Sequence, residues 1–305
     1  MDGCSMRHPP SLLITGGSGF TGRCACEHFQ KLGWDVTTVV RNRSVVIQGV
    51  KVISCDLTKR EAVESIIRYT KPDYILHLAG VNSVHDSWHS PLESIEGNVL
   101  STLYLLETVR QLNNHPRIII VGSALQHNQD DKPLHPYSVS KTMQVQLAEH
   151  WAHLFDMDIV MTKPTNLIGP GSSKGICSLI AEEIARQEQV RGTPFLRIND
   201  LSAKRDFLDV RDVVRAYDLI FQHGKKGKLY EIGSGQMRSL REVVDHYQWL
   251  TKSPIQIEEL RPNSSEELPV VNNESIYELG WKPVKSFRSS LADILQYYRQ
   301  SRKED

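Results

Sequence analysis

Hydrophobic positions along the chain alternate between two patterns. Short, nearly continuous apolar runs fall at Leu12–Thr15, Asp35–Val40, Lys51–Cys55, Tyr74–Leu78, Ile118–Gly122 and Ile159–Lys163. Runs of this length predict strands buried on both faces. Longer amphipathic stretches separate them and predict helices. Such alternation builds βαβ units, so the first half is expected to be α/β, a doubly wound parallel sheet. In the second half, Ile176–Gln189 and Asp209–Phe221 read as amphipathic helices, the latter with Val210, Val213, Val214, Tyr217 and Ile220 near one stripe. Leu291–Tyr298 reads as a final helix before a charged tail. A smaller mixed α/β second domain is expected from these elements.

The first apolar run leads into Thr15-Gly16-Gly17-Ser18-Gly19-Phe20-Thr21-Gly22, with glycines 16, 19 and 22 spaced G-x-x-G-x-x-G, and then a helix-like stretch from Phe20. A glycine-rich strand-to-helix turn lets backbone approach a pyrophosphate closely, with the positive end of the helix dipole behind it. A dinucleotide is therefore expected to lie against Gly16, Ser18, Gly19, Phe20 and Gly22.

Composition narrows the partners. The 305 residues suffice for one large or two modest domains, and 36 basic residues balance 36 acidic ones. A net charge near zero gives no support to nucleic acid or a membrane surface as partner, so an anionic ligand must be held by local positive groups. No apolar run approaches a membrane span, and residues 1–10 lack a signal-peptide core and are expected to form a loose tail. The five cysteines (4, 24, 26, 55 and 177) follow no zinc or C-x-x-C spacing and read as reduced thiols of a cytoplasmic protein. The twelve histidines are scattered and show no H-E-x-x-H pattern, so no metal site is expected.

Strand ends supply further candidates. Arg41 and Arg43 follow the second run, with no carboxylate there. An adenosine 2′-hydroxyl wants an acid at this point and a 2′-phosphate wants arginine, which favours NADP(H) over NAD(H); as solvated loop charges the two would look the same. Asp56, ahead of Leu57, suits either an adenine amino group or a helix N-cap. His77-Leu-Ala-Gly80 ends the fourth run, where small residues let backbone lie against the cofactor, making Leu78, Ala79 and Gly80 cofactor candidates. Asn98 is a polar residue among apolar helix neighbours, fitting either a water bridge to an active-site lysine or an ordinary surface amide.

Tyr137-Ser-Val-Ser-Lys141 places a phenol and an ammonium on one helix face. The cation can lower the phenol pKa and also bond a nicotinamide ribose. Such a phenol serves as general acid or base for a carbonyl/alcohol pair beside a hydride carrier. Ser123, after the fifth run, can polarise the substrate oxygen. Pro133 and Pro136 end the loop that delivers Tyr137.

Together these motifs resemble the extended short-chain dehydrogenase/reductases that act on nucleotide sugars. Ser87-Trp88-x-x-Pro91-Leu92, Lys163-Pro-Thr-Asn166, Arg205-Asp206-Phe207-x-Asp209, Tyr230-x-Ile232-Gly233 and Gly280-Trp281-x-Pro283 are similar to the GDP-4-keto-6-deoxy-D-mannose reductase branch. The resemblance covers nearly the whole chain after residue 10. It implies a Rossmann-type dinucleotide domain at 11–165 and a nucleotide-sugar domain at 166–305, with helix 209–222 packing back on the first. It implies a Ser123, Tyr137 and Lys141 triad, with Asn98, Tyr137 and Lys141 also meeting the cofactor. Ser83 would bind the substrate, Asn166 would contact the sugar diphosphate, and Arg205 and Arg261 would clamp the pyrophosphate of the nucleotide. For Arg205, a surface ion pair with Asp206 or Asp209 stays open. The implied assembly is a homodimer through the helices that carry Asn98 and Tyr137. Leu100, Leu103, Tyr104, Val145 and Leu147 permit it, as would burial within one chain.

The implied reaction is NADPH-dependent reduction of a GDP-linked 4-keto-6-deoxy hexose. A C4 epimerase that retains its cofactor shares the triad, and a non-catalytic dinucleotide sensor is the reading from another class. Departures bear on this choice. Related 4,6-dehydratases carry a glutamate base two residues after the catalytic hydroxyl; here that residue is Leu125, which cannot take a proton. Lys163 stands where many relatives have arginine, and the segment after Arg261-Pro262 lacks the expected aspartate.

Overall fold

The computed structural model describes residues 8–41, 45–112, 114–127, 132–189, 193–263 and 270–302. In chain order the elements are β1 (Ser11–Thr15), α1 (Phe20–Lys31), β2 (Asp35–Val40), β3 (Lys51–Ser54), α2 (Arg60–Thr70), β4 (Tyr74–His77), α3 (Val84–His89) and α4 (Pro91–Ile95). A π-turn (Glu96–Leu100) then leads into α5 (Ser101–Arg110), followed by β5 (Arg117–Val121), α6 (Pro136–Leu154) and β6 (Ile159–Pro164). The second half comprises β7 (Asn166–Ile168), α7 (Ile176–Gln189), β8 (Phe195–Ile198), β9 (Lys204–Asp209), α8 (Val210–His223), β10 (Leu229–Ile232), β11 (Met237–Ser239), α9 (Leu240–Leu250), β12 (Gln256–Glu259), α10 (Glu274–Tyr277) and α11 (Phe287–Ser301).

The chain divides into two compact units, residues 1–162 with 217–229, and residues 163–216 with 230–305. In the first, strands pair in the order β3-β2-β1-β4-β5-β6, and β10 completes a seven-stranded sheet beside β6. β1 to β6 run parallel in continuous register, Leu12 opposite Val36 on one side and Tyr74 on the other. This is the Rossmann-type doubly wound sheet. Its apolar runs are strands because Leu13, Ile75, Ile118, Ile120 and Ile159 are fully buried under flanking helices. Each such side chain contributes about 1.5–3 kcal/mol by leaving water. Phe221 of α8 packs against Phe29, Trp34 and Tyr74, at ring separations of 5.8, 5.9 and 5.2 Å. The chain start is tied in at Pro10, whose carbonyl accepts from the Asp35 N–H at 3.0 Å; the rest of the expected loose tail, residues 1–7, lies outside the described residues.

The second unit has its own core, in which Ile180, Ile184, Val243, Tyr247, Leu291 and Ile294 from α7, α9 and α11 meet. Around it stand a three-stranded sheet, β11-β9-β7, and a parallel pair, β12-β8. α9 starts on a capping box, the Ser239 hydroxyl and the Glu242 carboxylate each taking the other's backbone N–H. Among the described residues, no helix is long and apolar enough to cross a membrane, and no group of three or more His, Cys, Asp or Glu side chains could hold a metal. Cys26, Cys55 and Cys177 are buried and Cys24 is half-buried, all unbridged, while Cys4 lies outside the described residues. Burial pushes the Cys26 and Cys55 thiols up to about 11, away from reactivity.

Candidate active site

The strand order reverses between β1 and β4, and in open α/β sheets ligands settle in the crevice past the strand ends at that point. The glycine turn leaves β1 there, and Gly80 follows β4. A hollow of about 400 Å³ opens between them, bordered by Gly16, Ser18, Gly19, Arg41, Leu78 and Gly80 among others. Two glycines are sterically required. Gly16 has φ +77°, and a Cβ on it would meet Ala79 Cα at 2.9 Å; one on Gly22 would meet Gly16 O at 2.2 Å. The N-cap of α1, Gly19, has no side chain to satisfy the first N–H groups of the helix. An anion suits that end, so a dinucleotide's pyrophosphate fits the cradle. Phe20 opens α1.

Around this hollow stand the other cofactor candidates. Arg41 is exposed at its rim and Ala79 and Leu57 border it. Arg43 lies outside the described residues. Asp56 is not a helix cap: α2 is capped at Lys59, and Asp56 Oδ1 accepts from the Thr58 N–H at 3.0 Å and from its hydroxyl at 2.8 Å. Those bonds hold its carboxyl below the usual range. Asn98 is not a surface amide either. It is fully buried in the π-turn, where its Oδ1 accepts from Val81 N–H at 2.9 Å and its Nδ2 donates to Val81 O and to Ser140 Oγ. A π-turn of this kind leaves no mark in the hydrophobic pattern.

Pro136 starts α6 with its missing N–H in the first turn, and the His135 ring caps the helix by accepting from Ser138 N–H at 2.9 Å. That start aims Tyr137 and, one turn on, Lys141 to one side. Both are buried, and Tyr137 stands close enough to Ser123 for the serine hydroxyl to act on the phenol. Ser123 is itself held: its N–H donates to Gln126 Oε1 at 3.0 Å and its Oγ accepts from Leu125 N–H at 3.2 Å. Lys141 Nζ donates to Val121 O at 2.9 Å and to Gln144 Oε1 at 2.7 Å. A Cβ on Gly80 would lie 3.7 Å from that ammonium, so Lys141 stands behind Gly80, which lines the hollow.

The electrostatics differ from expectation. Burial raises the Tyr137 pKa, and the neighbouring Ser123 hydroxyl opposes the rise. The expected depression by Lys141 is not found, because its ammonium is turned to Val121 O and Gln144 and is itself lowered to about 8 by burial. The sequence reading also passed over Gln144 and Gln126. A glutamine three positions after Lys141, on the buried side of α6, was the available signal for the first.

Ser83 Oγ caps α3 by accepting from Asp86 N–H at 3.0 Å. In the second unit, Asn166 and Arg205 stand on the neighbouring strands β7 and β9. Asn166 Nδ2 donates to Asp206 O at 3.3 Å, and the half-buried Arg205 donates to Lys204 O at 2.7 Å. The surface ion pair left open for Arg205 does not form. Asp206 accepts from Ser234 and Gly235, and Asp209 from Arg211 and Ser290. Arg261 follows β12, its backbone N–H bonded to Asn199 O at 2.7 Å and its side chain exposed. Neither a hollow of about 510 Å³ beside His246 and Trp249 nor one of about 740 Å³ beside Ile176 and Phe195 is lined by any of these residues.

A glycine-cradled dinucleotide hollow and a Ser, Tyr and Lys set on one Rossmann sheet define an NAD(P)-dependent short-chain dehydrogenase/reductase. Residues 12–233 match the NAD dependent epimerase/dehydratase family, and the chain belongs to it. It is a member of the extended short-chain dehydrogenase/reductases. It is similar to the GDP-6-deoxy-D-mannose reductase of Pseudomonas aeruginosa, 28% identical over 251 residues, covering 77% of this chain and 83% of that one. The dTDP-glucose 4,6-dehydratase of Salmonella typhimurium is 24% identical over 336 residues, 94% of this chain and 92% of that one. The fold is shared with a Thermus thermophilus UDP-glucose 4-epimerase complexed with NAD (TM-score 0.83, 22% identity, covering 94% and 98%). It is shared too with RMD from Pseudomonas aeruginosa complexed with NADPH (TM-score 0.81, 24% identity, covering 96% and 99%).

Proposed function

We propose that the protein is an NADPH-dependent reductase acting on the C4 carbonyl of a GDP-linked 4-keto-6-deoxy hexose. The observation that carries the reading is the buried Tyr137 beside Ser123, with Lys141 one turn on and next to Gly80, which lines the hollow. Bound NADPH supplies the hydride. Tyr137 gives its proton to the oxygen that becomes the alcohol, and Ser123 polarises the same oxygen while it is still a carbonyl. Lys141 holds the ribose and keeps positive charge near the phenol. Gly16, Ser18, Gly19, Phe20 and Gly22 take the pyrophosphate, with Asp56, Leu57, Leu78, Ala79 and Gly80 beside adenine and nicotinamide.

NADP over NAD is favoured by Arg41 at the rim and by the NADPH in the RMD structure. Ser83, Asn166, Arg205 and Arg261 are proposed to hold the nucleotide sugar; arginine forks suit its diphosphate in a protein of zero net charge. The GDP-6-deoxy-D-mannose reductase relative favours a GDP-linked ketosugar. Leu125 argues against dehydration, since that reaction needs a carboxylate base where this chain has an aliphatic side chain. A homodimer and a cytoplasmic location belong to the same proposal.

The experiment is to incubate the protein with NADPH and GDP-, UDP- and dTDP-linked 4-ketosugars and follow reduced nicotinamide by absorbance. Stoichiometric oxidation with the GDP-linked ketosugar is expected. Absence of oxidation with all of them overturns the reading. Interconversion of C4 epimers without net NADPH consumption would instead support an epimerase, the second reading, which the epimerase of the same fold favours.

A further inference from the structure

A line of buried polar groups runs under the hollow from Ala79 to Lys141. The Ala79 N–H donates to Thr15 Oγ1 at 3.1 Å, and that hydroxyl lies 2.8 Å from His77 Nδ1. On the other side of the ring, His77 Nε2 lies 3.0 Å from Thr102 Oγ1. Thr102 Oγ1 also accepts from Gln144 Nε2 at 2.8 Å, and Gln144 Oε1 accepts from Lys141 Nζ at 2.7 Å. His77, Thr102 and Gln144 are all wholly buried.

The position of every proton in this line follows from counting donors. Thr102 spends its one hydroxyl hydrogen on Asn98 O, 2.7 Å away. It can then only accept from His77 and from Gln144. His77 must therefore carry its proton on Nε2, leaving Nδ1 to accept from Thr15. The Gln144 amide has one possible orientation, NH₂ toward Thr102 and oxygen toward the lysine. An ammonium has three N–H groups, and Val121 O and Gln144 Oε1 take two of them. The third is left to point toward the Gly80 side of the hollow.

We propose that His77, Thr102 and Gln144 are positioning residues that fix the orientation and charge of Lys141. This rests on the reading that Lys141 serves a bound cofactor. The geometry makes Gln144 the acceptor that keeps a buried ammonium charged, and the neutral His77 the group that locks Gln144 through Thr102. The titratable group that feels the ammonium is His77 on β4, while Tyr137 stands one turn away on α6 with no effect of the ammonium on it. Thr102 on α5 and Asn98 in the π-turn are neutral. Burial alone depresses Lys141, with no compensating carboxylate among the described residues.

Two measurements test the proposal. The first is nitrogen NMR of histidine-labelled protein. It should show His77 as the neutral Nε2–H tautomer, unchanged from about pH 5 to 9. An Nδ1–H tautomer, or a ring titrating near its ordinary pKa, overturns the proposal whatever the enzyme does. The second is NADPH affinity against pH, by fluorescence titration, in wild type, Gln144→Leu and Gln144→Glu. Removing the acceptor should move the pH at which affinity falls down by about one unit, and a carboxylate should move it up by a similar amount. If both variants fold and share the wild-type midpoint, Gln144 is a packing residue and the proposal fails. Should Gln144→Leu fail to fold, Gln144→Glu decides alone. A wild type that binds no NADPH refutes the cofactor reading and leaves the NMR result standing by itself.

Discussion

Thr15 and His77 face each other in register on the parallel strands β1 and β4, with Thr15 Oγ1 2.8 Å from His77 Nδ1. The ring has no contact with water, and burial together with the Lys141 charge pushes its pKa down to about 3 from an ordinary 6.5. The folded protein therefore keeps His77 neutral where the unfolded chain protonates it. Between pH 6.5 and 3 the unfolded state binds the extra proton, so stability falls as pH falls through that window. The loss at full protonation is about 4–5 kcal/mol. Urea unfolding of wild type and His77→Asn across this range should show a steeper acid loss in the wild type. Parallel curves would mean that His77 contributes nothing to acid lability.

The cradle predicts a second effect. In Gly22→Ala the new methyl meets Gly16 O at 2.2 Å, a backbone atom that can yield only by distorting the turn. About 1–3 kcal/mol of stability should be lost, and NADPH affinity with it. Gly33→Ala is the control. It has nothing within 4 Å and φ +81°, so it carries left-handed strain of about 1–2 kcal/mol and no effect on nucleotide. Equal NADPH affinity in the two variants would show that the turn does not approach the dinucleotide.

How much of this was readable from the chain depends on the range of the forces involved. The parallel strands announce themselves because Ile118, Ile119 and Ile120 are buried on both faces and need no polar alternation. The glycine turn was legible because Gly22 answers to the Gly16 carbonyl six residues back and Gly16 to its own φ of +77°. α8 was legible from its Val210, Val213, Val214 and Tyr217 stripe. The π-turn at Glu96–Leu100 was not, since one extra residue in a turn barely disturbs a 3.6-residue pattern. Nor was the line of groups beyond Gln144, because Thr15, His77, Thr102 and Gln144 meet only once four separate elements are packed together. Asp56 kept two readings in sequence; its bond to Thr58, two residues on, is a local choice that sequence permits without requiring.

In the second unit, the fully buried Asp212 carboxylate holds a loop in place. Its Oδ2 accepts from the Val284 and Lys285 N–H groups at 3.0 and 2.8 Å, and its Oδ1 from Arg215 at 2.9 Å. Asp212→Ala strands two backbone donors, which should cost about 2–4 kcal/mol. Chemical denaturation should register that loss, while NADPH affinity, a property of the other unit, stays unchanged. A neutral substitution would mean that water replaces the carboxylate.

Tyr137→Phe removes one oxygen and leaves the ring packed. Loss of a positioned acid should lower the single-turnover rate of ketosugar reduction by about a hundredfold or more. NADPH affinity should stay within about twofold, because the ribose contact is assigned to Lys141. Undiminished turnover removes Tyr137 from the chemistry.

Lys141 sets function against stability. An ammonium held at about 8 against an ordinary 10.5 disfavours the native state by about 3 kcal/mol at neutral pH, since the unfolded chain binds that proton more tightly. The unfolded state carries the extra proton between pH 8 and 10.5, so the penalty fades as pH rises through that window. Lys141→Met keeps the length of the side chain and discards the charge, at the expense of the bonds to Val121 O and Gln144. The variant should be more stable than wild type by about 1–3 kcal/mol at pH 7 and lose most of that advantage near pH 10. Ionisation of Tyr137 is common to both proteins and cancels in the difference. Unfolding curves at the two pH values give the comparison, and NADPH titration of the same samples should show affinity lost in the more stable protein. A variant less stable at pH 7, or an advantage that does not change with pH, would mean that the Lys141 ammonium is not strained by burial.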